Sequence, residues 1–294
     1  MTPSVTVCVP ALNAESFLDA TIRSVLAQSY ADWELVVVDN ASSDRTGEIA
    51  RSFDDPRITV VTNEHTVPMA DNWNRAVQAS SAPWIKLLCA DDVLAPDCLS
   101  QQMAAVDRVP GASLVAGRRD VIDDLDQVIL EDRGLSGITG VHPGDEVIRE
   151  LTLAGTNTVG WPAACLFRRD HFDAVGGFAP EWSLLMDLEL WTRLLAKGDF
   201  VGLDASVASF RVWSRAASAT ADALGGRHRA LLRRLAADPD TGLDRRSLWI
   251  GLVRASIESV KRRLLYAAVG SQSPTLRRLP SLLVQPTRFL ARRR

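Results

Sequence analysis

The stretch Trp84-Ile85-Lys86-Leu87-Leu88-Cys89-Ala90-Asp91-Asp92 is an apolar run that ends in two adjacent carboxylates. A short apolar run closed by turn residues reads as a buried strand. Aspartates at the carboxyl end of such a strand stand where open α/β sheets hold their ligands. Neighbouring carboxylates repel each other unless a cation, a sugar hydroxyl or a helix N-terminus engages them, so this pair could hold a divalent metal. A purely local reading competes. Leu94-Ala95-Pro96-Asp97 signals a helix start, and Asp is a favoured N-cap, so Asp91 and Asp92 could do no more than cap that helix. A second acidic strand end tilts the balance. The run from Trp33 to Val38 leads into Asp39-Asn40-Ala41-Ser42-Ser43-Asp44, and polar clusters at two strand ends build one cleft more readily than two unrelated caps.

The elements that must position these acids follow in order. Val5 to Val9 is a β-branched run closed by Pro10, with Asn13 as a cap for a helix carrying Phe17, Leu18, Ile22, Val25 and Leu26 at helical spacing. A helix is expected near Thr46 to Phe53, a strand from Arg57 to Thr62, and a helix from Met69 to Ala79. Strand-helix alternation of this kind implies a parallel sheet with right-handed crossovers. Beyond Gly111, Ser113 to Ala116 reads as a strand, Arg118 to Gly140 as irregular, and Pro143 to Leu153 as a short helix. An apolar strand through Phe167, a short helix stopped by Gly176-Gly177, and a helix from Glu181 to Ala196 complete this part. On that last helix Asp187 lies off the apolar stripe of Leu184, Leu188, Trp191 and Leu195, free to face a cleft or solvent. Helices are expected over Ala216 to Ala237 and Ser247 to Val269, followed by a proline-broken tail.

Composition narrows the classes. With 294 residues, 47% of them hydrophobic, the chain can bury a substantial core. It lacks a charge-free run long enough to span a bilayer and opens without a signal-like segment, so a cytoplasmic protein is expected. Cys8, Cys89, Cys98 and Cys165 form no CxxC pair and read as reduced core residues. There is no GxGxxG after the first strand and no GxxxxGK[ST], which disfavours dinucleotide and P-loop enzymes. A nucleotide diphosphate held here would need a metal and basic side chains instead of a glycine loop. From Gly225 to Arg294 there are 16 Lys/Arg against four Asp/Glu, a net +12, which leaves -15 on the first 224 residues of a chain whose net charge is -3. No aromatic-basic platform accompanies the basic end, so nucleic acid is not an expected partner. Leu282, Leu283, Val284, Phe289 and Leu290 beside arginines instead suggest contact with an anionic membrane, with a peripheral location on its inner face.

Six segments, in this order, resemble a family 2 glycosyltransferase: VTVCVPALNAE, VLAQSYADWELVVVDNASSDRT, DNWNRAV, WIKLLCADDVLAPDCL, GWPAACLFRRDHFDAVGGF and MDLELWTRLLAKG. The resemblance implies an α/β GT-A-type fold, a Rossmann-like mostly parallel sheet flanked by helices, with a C-terminal helical basic extension. It implies a transferase domain over residues 1–214, in which 1–110 bind the nucleotide sugar and 111–214 form the acceptor half, and a helical, Arg-rich region over 215–294. The implied activity is inverting transfer of a sugar from a nucleotide-diphosphate sugar to a hydroxyl on a glycan, lipid-linked or small-molecule acceptor, with Mn2+ or Mg2+. The implied site is Asp187 as catalytic base, Pro10, Leu12, Asn13, Asp39, Asn72 and Asp91 around the nucleotide sugar, and Asp92 as metal ligand of a DXD-type element. Glu189, half a turn from Asp187, is the alternative base.

Three positions depart from the family pattern. Ala11-Leu12 stands where many relatives have Thr-Tyr, Cys89 where many have a further Asp, and Trp213 where a histidine often approaches the diphosphate. They keep open a non-catalytic nucleotide-sugar binder of the same fold. A nucleotidyltransferase shares the broad sheet architecture but would need a glycine-rich basic loop after the first strand. Trp73, Trp161 and Trp182 fall near the expected cleft, where an indole face could pack on a sugar ring or simply on the core.

Overall fold

A computed structural model describes residues 2–213, 224–237, 241 and 243–269. The first half alternates strands and helices: β1 (Val5–Ala11), α1 (Leu18–Leu26), β2 (Trp33–Asp39), α2 (Thr46–Arg51), β3 (Ile58–Thr62), α3 (Met69–Gln78) and β4 (Trp84–Leu87). The short β5 (Val93–Leu94), α4 (Cys98–Arg108), the long β6 (Ala112–Ile122), β7 (Val128–Arg133), β8 (Gly140–His142) and α5 (Gly144–Ala154) follow. Then come β9 (Cys165–Arg168), α6 (Arg169–Val175), α7 (Met186–Leu195), β10 (Asp199–Arg211), α8 (Leu224–Ala237) and α9 (Arg245–Val269). The main sheet has the order β3-β2-β1-β4-β9-β6-β10-β5, with β7 beside β6 and β8 beside β10. Only β9 and β5 oppose the common direction along that path, so the sheet is mostly parallel, as expected.

Strand residues alternate between faces. Val5, Val7, Val9, Leu35 and Val37 pack with Leu18, Ile22, Leu99 and Met103 from α1 and α4. Cys8, Val36, Val38, Ile85 and Leu87 pack on the other face with Val77, Leu151, Phe172, Trp191 and Leu194 from α3, α5, α6 and α7. Burial on both faces is why these strands read as unbroken apolar runs. Pro10 lies inside β1, not beyond it: pairing with β4 ends at Cys8↔Leu87, while pairing with β2 runs on through Pro10↔Val38 to Ala11↔Asp39.

Three expectations need correction, and one competing reading falls. Asn13 does not cap α1, whose N-cap is Phe17; Asn13 adopts φ 50° and binds the neighbouring loop. Arg118 to Gly140 is not irregular, because β6 runs through Ile122 and β7 returns antiparallel along it. Glu181 to Ala196 is not one helix: a 3₁₀ turn over Pro180–Leu185 is broken at Ser183 (φ 50°, ψ -124°), and α7 starts afresh at Met186. Asp91 and Asp92 cap nothing, since α4 begins only at Cys98, after β5 has intervened. The proposed lipid-facing Leu282, Leu283, Val284, Phe289 and Leu290 lie outside the described residues.

Helix α7 is located by close contact at its far end. A Cβ on Gly144, the first residue of α5, would stand 1.8 Å from the Leu195 carbonyl oxygen and 2.6 Å from that of Gly198. Gly144→Ala should therefore lower stability by about 3 kcal/mol through overpacking. Denaturant unfolding measures this, and a wild-type midpoint would show that α5 and α7 can part without loss.

Candidate active site

The acids collect at one end of the sheet because parallel neighbours end together. Ala11 pairs with Asp39, and the Asn40 N–H donates to the Ala11 carbonyl, so the ends of β1 and β2 are level. Asp39 is buried and its Oδ1 accepts from the Ser42 N–H at 3.0 Å. Gly47 in α2 keeps that carboxylate in place, as a Cβ there would come within 2.7 Å of Asp39 Oδ2. Asn13 closes the same rim, its Oδ1 accepting from the Ser43 N–H at 2.9 Å. Leu12, 47% exposed, offers an apolar surface beside it, while Pro10 is buried beneath. Asn72 stands behind this rim, not on it. Its Oδ1 accepts from Asn63 Nδ2 at 2.9 Å, and Asn63 also donates to Asn40 Oδ1 at 2.7 Å, an amide chain that ties α3 to the loop after β2.

The second cluster lies just past β4. Oxygen or sulfur atoms of Cys89, Asp91 and Asp92 lie within 4.8 Å of one another. Asp92 Oδ1 accepts from the Arg211 backbone N–H at 2.9 Å, whereas its buried Oδ2 has no partner. Burial first, and then Asp91, push the Asp92 carboxyl well above its ordinary range; Arg211 and Arg119 oppose them. Burial likewise raises Asp91, although the Trp213 indole N–H donates to its Oδ2 at 2.9 Å. An orphaned Asp92 oxygen next to a second carboxylate fits a hard divalent cation, with Asp92 as the oxygen ligand. The Cys89 thiol is a soft ligand, held protonated by burial and by these same acids.

Arg211, at the end of β10, organises this turn and was not singled out by its sequence position. Only 1% exposed, it donates from Nε to the Asp91 carbonyl and from Nη1 to the Asp123 carbonyl, both at 2.8 Å. An ion pair with Asp126 at 2.7 Å and the Phe17 ring 4.5 Å from its guanidinium complete its surroundings.

Asp187 occupies the first turn of α7 and is 8% exposed, so it is buried where sequence spacing left solvent open. Burial pushes its carboxyl up to about 6, against backbone N–H groups at the helix start and the field of Arg119. Glu189 is not available as a base: its two oxygens accept from Arg193 at 2.9 and 2.6 Å and from Arg234 at 2.8 Å. Arg119 joins the two halves. It is buried, lies in the field of both Asp187 and Asp92, and its Nε and Nη1 have no hydrogen-bond partner. Its guanidinium instead covers Trp161 at 3.9 Å, and Phe210 stacks on the same indole at 4.0 Å. Trp73 packs edge-on against Phe178, and Trp182 lies under Arg234.

Residues 6–176 match the family described as glycosyl transferase family 2. The chain belongs to that family. It is 27% identical over 200 residues to an uncharacterised protein of Mycobacterium tuberculosis, covering 66% of this chain and 63% of that one. Over 100 residues it is 39% identical to the UDP-Glc:alpha-D-GlcNAc-diphosphoundecaprenol beta-1,3-glucosyltransferase WfgD of Escherichia coli, covering 34% of this chain and 40% of WfgD. The matches therefore span less than two thirds of either relative. Among solved structures, the mannosyltransferase PcManGT from Pyrobaculum calidifontis in complex with GDP-Man and Mn2+ superposes with a TM-score of 0.62 at 19% identity, covering 96% of this chain and 79% of that one. The fold is the GT-A fold expected from the sequence.

The raised Asp187 carboxyl has a stability consequence. Its folded value, about 6, exceeds its ordinary 3.8, so the folded state holds more protons between those pH values and loses stability as pH rises through that window. Asp187→Asn removes that loss. At pH 7.5 it should be more stable than wild type by up to about 3 kcal/mol, with the gain gone below about pH 4. Denaturant melts at the two pH values measure the difference, and an unchanged or lower stability at pH 7.5 would contradict the buried, elevated carboxyl.

Proposed function

We propose that this chain is an inverting, metal-dependent glycosyltransferase that moves a sugar from a nucleotide-diphosphate sugar to a hydroxyl acceptor in glycan assembly. Family membership supports glycosyl transfer, and the buried Asp187 carboxyl, poised near 6 in reach of the same arginine as Asp92, is the observation that carries the mechanism. Residues 1–110 form the donor half. Asp39, with Leu12 and Asn13 on the rim and Pro10 beneath, receives the nucleoside; Asn72 acts from behind by holding the Asn40 loop. Asp91 would meet the ribose and Asp92 would hold the metal. A bound Mn2+ or Mg2+ supplies Lewis-acid neutralisation of the charge that builds on the departing diphosphate.

Residues 111–214 form the acceptor half. Asp187 accepts the acceptor hydroxyl proton while that oxygen attacks the anomeric carbon. The bond to the diphosphate breaks on the opposite side, its electron pair leaving with the phosphate oxygen, which inverts the anomeric centre. A base near 6 is ionised at neutral pH yet basic enough to share the proton in the transition state. Arg119 acts as a positioning residue, its field adding to the backbone N–H groups that favour the ionised Asp187 carboxylate against burial. The lipid-linked acceptor in WfgD's name supports a lipid-linked or cell-envelope acceptor here; a soluble small-molecule acceptor is the competing choice.

A panel of nucleotide sugars incubated with Mn2+ or Mg2+ should identify one donor from which nucleoside diphosphate is released. Asp187→Asn and Asp92→Asn should each lower that release by at least about a hundredfold. Binding of a nucleotide sugar without release or transfer, across all donors and acceptors, would leave a non-catalytic binder. A second measurement concerns the base. The acid limb of kcat/KM should fall near pH 6, and Arg119→Met should move it upward by roughly one unit. A limb that stays in place would remove Arg119 from its positioning role.

A further inference from the structure

Helix α9 is apolar on two opposite sides. One side meets the protein so closely that a Cβ on Gly251 would stand 2.2 Å from the Thr152 carbonyl, with Ser247 and Ala255 buried beside it. The other side carries Trp249, Val253, Ile257 and Val260, which are 66%, 41%, 51% and 58% exposed. At about 100° per residue these four fall within an arc of roughly 80°, so they form one stripe. A helix at the surface of a globular protein normally turns its polar side outward, and a contiguous exposed apolar stripe marks an interaction surface.

Charge narrows the occupant. Helix α9 contains Arg245, Arg246, Arg254, Lys261, Arg262 and Arg263 against one acid, Glu258, and residues 270–294 add six arginines and no acid. Glu258 lies in the field of Arg133, and at about 100° per residue it falls on the opposite side of the helix from Trp249. A second copy docking here would press two cationic helices together. The chain's own residues 270–294 are cationic as well. A surface that is apolar within and anionic at its rim satisfies both features.

We propose that the exposed side of α9 docks on an anionic lipid bilayer, with Trp249, Val253, Ile257 and Val260 at the acyl boundary and flanking basic side chains on lipid phosphates. An interfacial Trp suits that depth, and basic residues beside an anionic leaflet are attracted to its surface charge. The placement has a functional consequence. α9 packs on α5 and α8, and α8 sits on the Pro180–Leu185 turn that leads into α7, where Arg234 binds Glu189, two residues from Asp187. Docking therefore anchors the block that carries the proposed base, which suits an acceptor embedded in the membrane. Only this last step rests on the transferase reading; the docking itself does not.

Co-sedimentation of the full chain with phosphatidylcholine vesicles, with and without phosphatidylglycerol, tests the proposal separately from activity. Binding is expected to the anionic vesicles alone, to weaken at high salt, and to be accompanied by a blue shift in tryptophan emission. Trp249→Ser combined with Ile257→Glu should cut vesicle binding at least tenfold while leaving the melting temperature and donor turnover as in wild type. Val253→Ser with Val260→Ser is the milder pair, expected to weaken binding several-fold. A chain ending at Val269 should keep binding that is sensitive to these changes. The proposal is overturned if the variants bind as wild type does, if removal of residues 270–294 abolishes all binding, or if the stripe proves to hold a dimer and the wild type ignores vesicles.

Discussion

Two adjacent carboxylates just past the end of a strand, Asp92 buried and Asp91 half-buried, constitute the constraint to which much of this molecule answers. Without compensation Asp91 and Asp92 would repel each other and resist burial, and both carboxyls are pushed upward by their surroundings. The compensation arrives from more than a hundred residues away. β10 continues far enough along β6 to bring the Arg211 backbone N–H to Asp92 and its side chain to the Asp91 carbonyl, and Trp213 then reaches the Asp91 carboxylate. What is left uncompensated, Asp92 Oδ2, is the atom a divalent cation would use. Satisfying that oxygen within the protein would stabilise the fold and close the metal position.

A similar tension holds on the acceptor side. Asp187 is buried at a helix start and Arg119 is buried with two donors unpaired, both unfavourable for stability in isolation. Their fields moderate each other, because Arg119 lowers the Asp187 carboxyl while Asp187 and Asp92 favour the charged guanidinium. Trp161 packs against both Arg119 and Phe210 and so ties this arginine to the end of β10. Glu189 illustrates the contrast within one helix. Its carboxylate is fully engaged by Arg193 and Arg234 and works as a structural tie to α8, two residues from a carboxylate that is left poised.

These ties make the C-terminal helices part of the same mechanical unit as the proposed base. α8 is fastened to α7 through Glu189, and α9 to α5 through the Gly251 contact. α5 in turn abuts the end of α7 at Gly144. α9 is thereby connected to the helix that carries Asp187 through both α8 and α5. Among the described residues no helix is long and apolar enough to cross a membrane, so any bilayer contact of these helices is made from the surface.

The amino-acid sequence by itself determined the α/β alternation, the strand ends that carry Asp39, Asp91 and Asp92, and the family. Those features are local: apolar runs buried on two faces, turn residues that close them, and segments whose order is visible along the chain. It misread Asn13 as a helix cap, Arg118 to Gly140 as irregular and Pro180–Leu185 as helix, because loop pairing, a returning strand and the strained Ser183 depend on neighbours distant in sequence. Tertiary structure alone decided which acid is tied and which is free. Asp187 and Glu189 look alike in the string, and only the arginines that bind Glu189 separate a tied carboxylate from the proposed base. It also decided that Asn72 lies behind the rim and that Arg211 and Arg119 belong to the site, since burial and electrostatic fields arise from what the fold brings together, whatever the spacing along the chain.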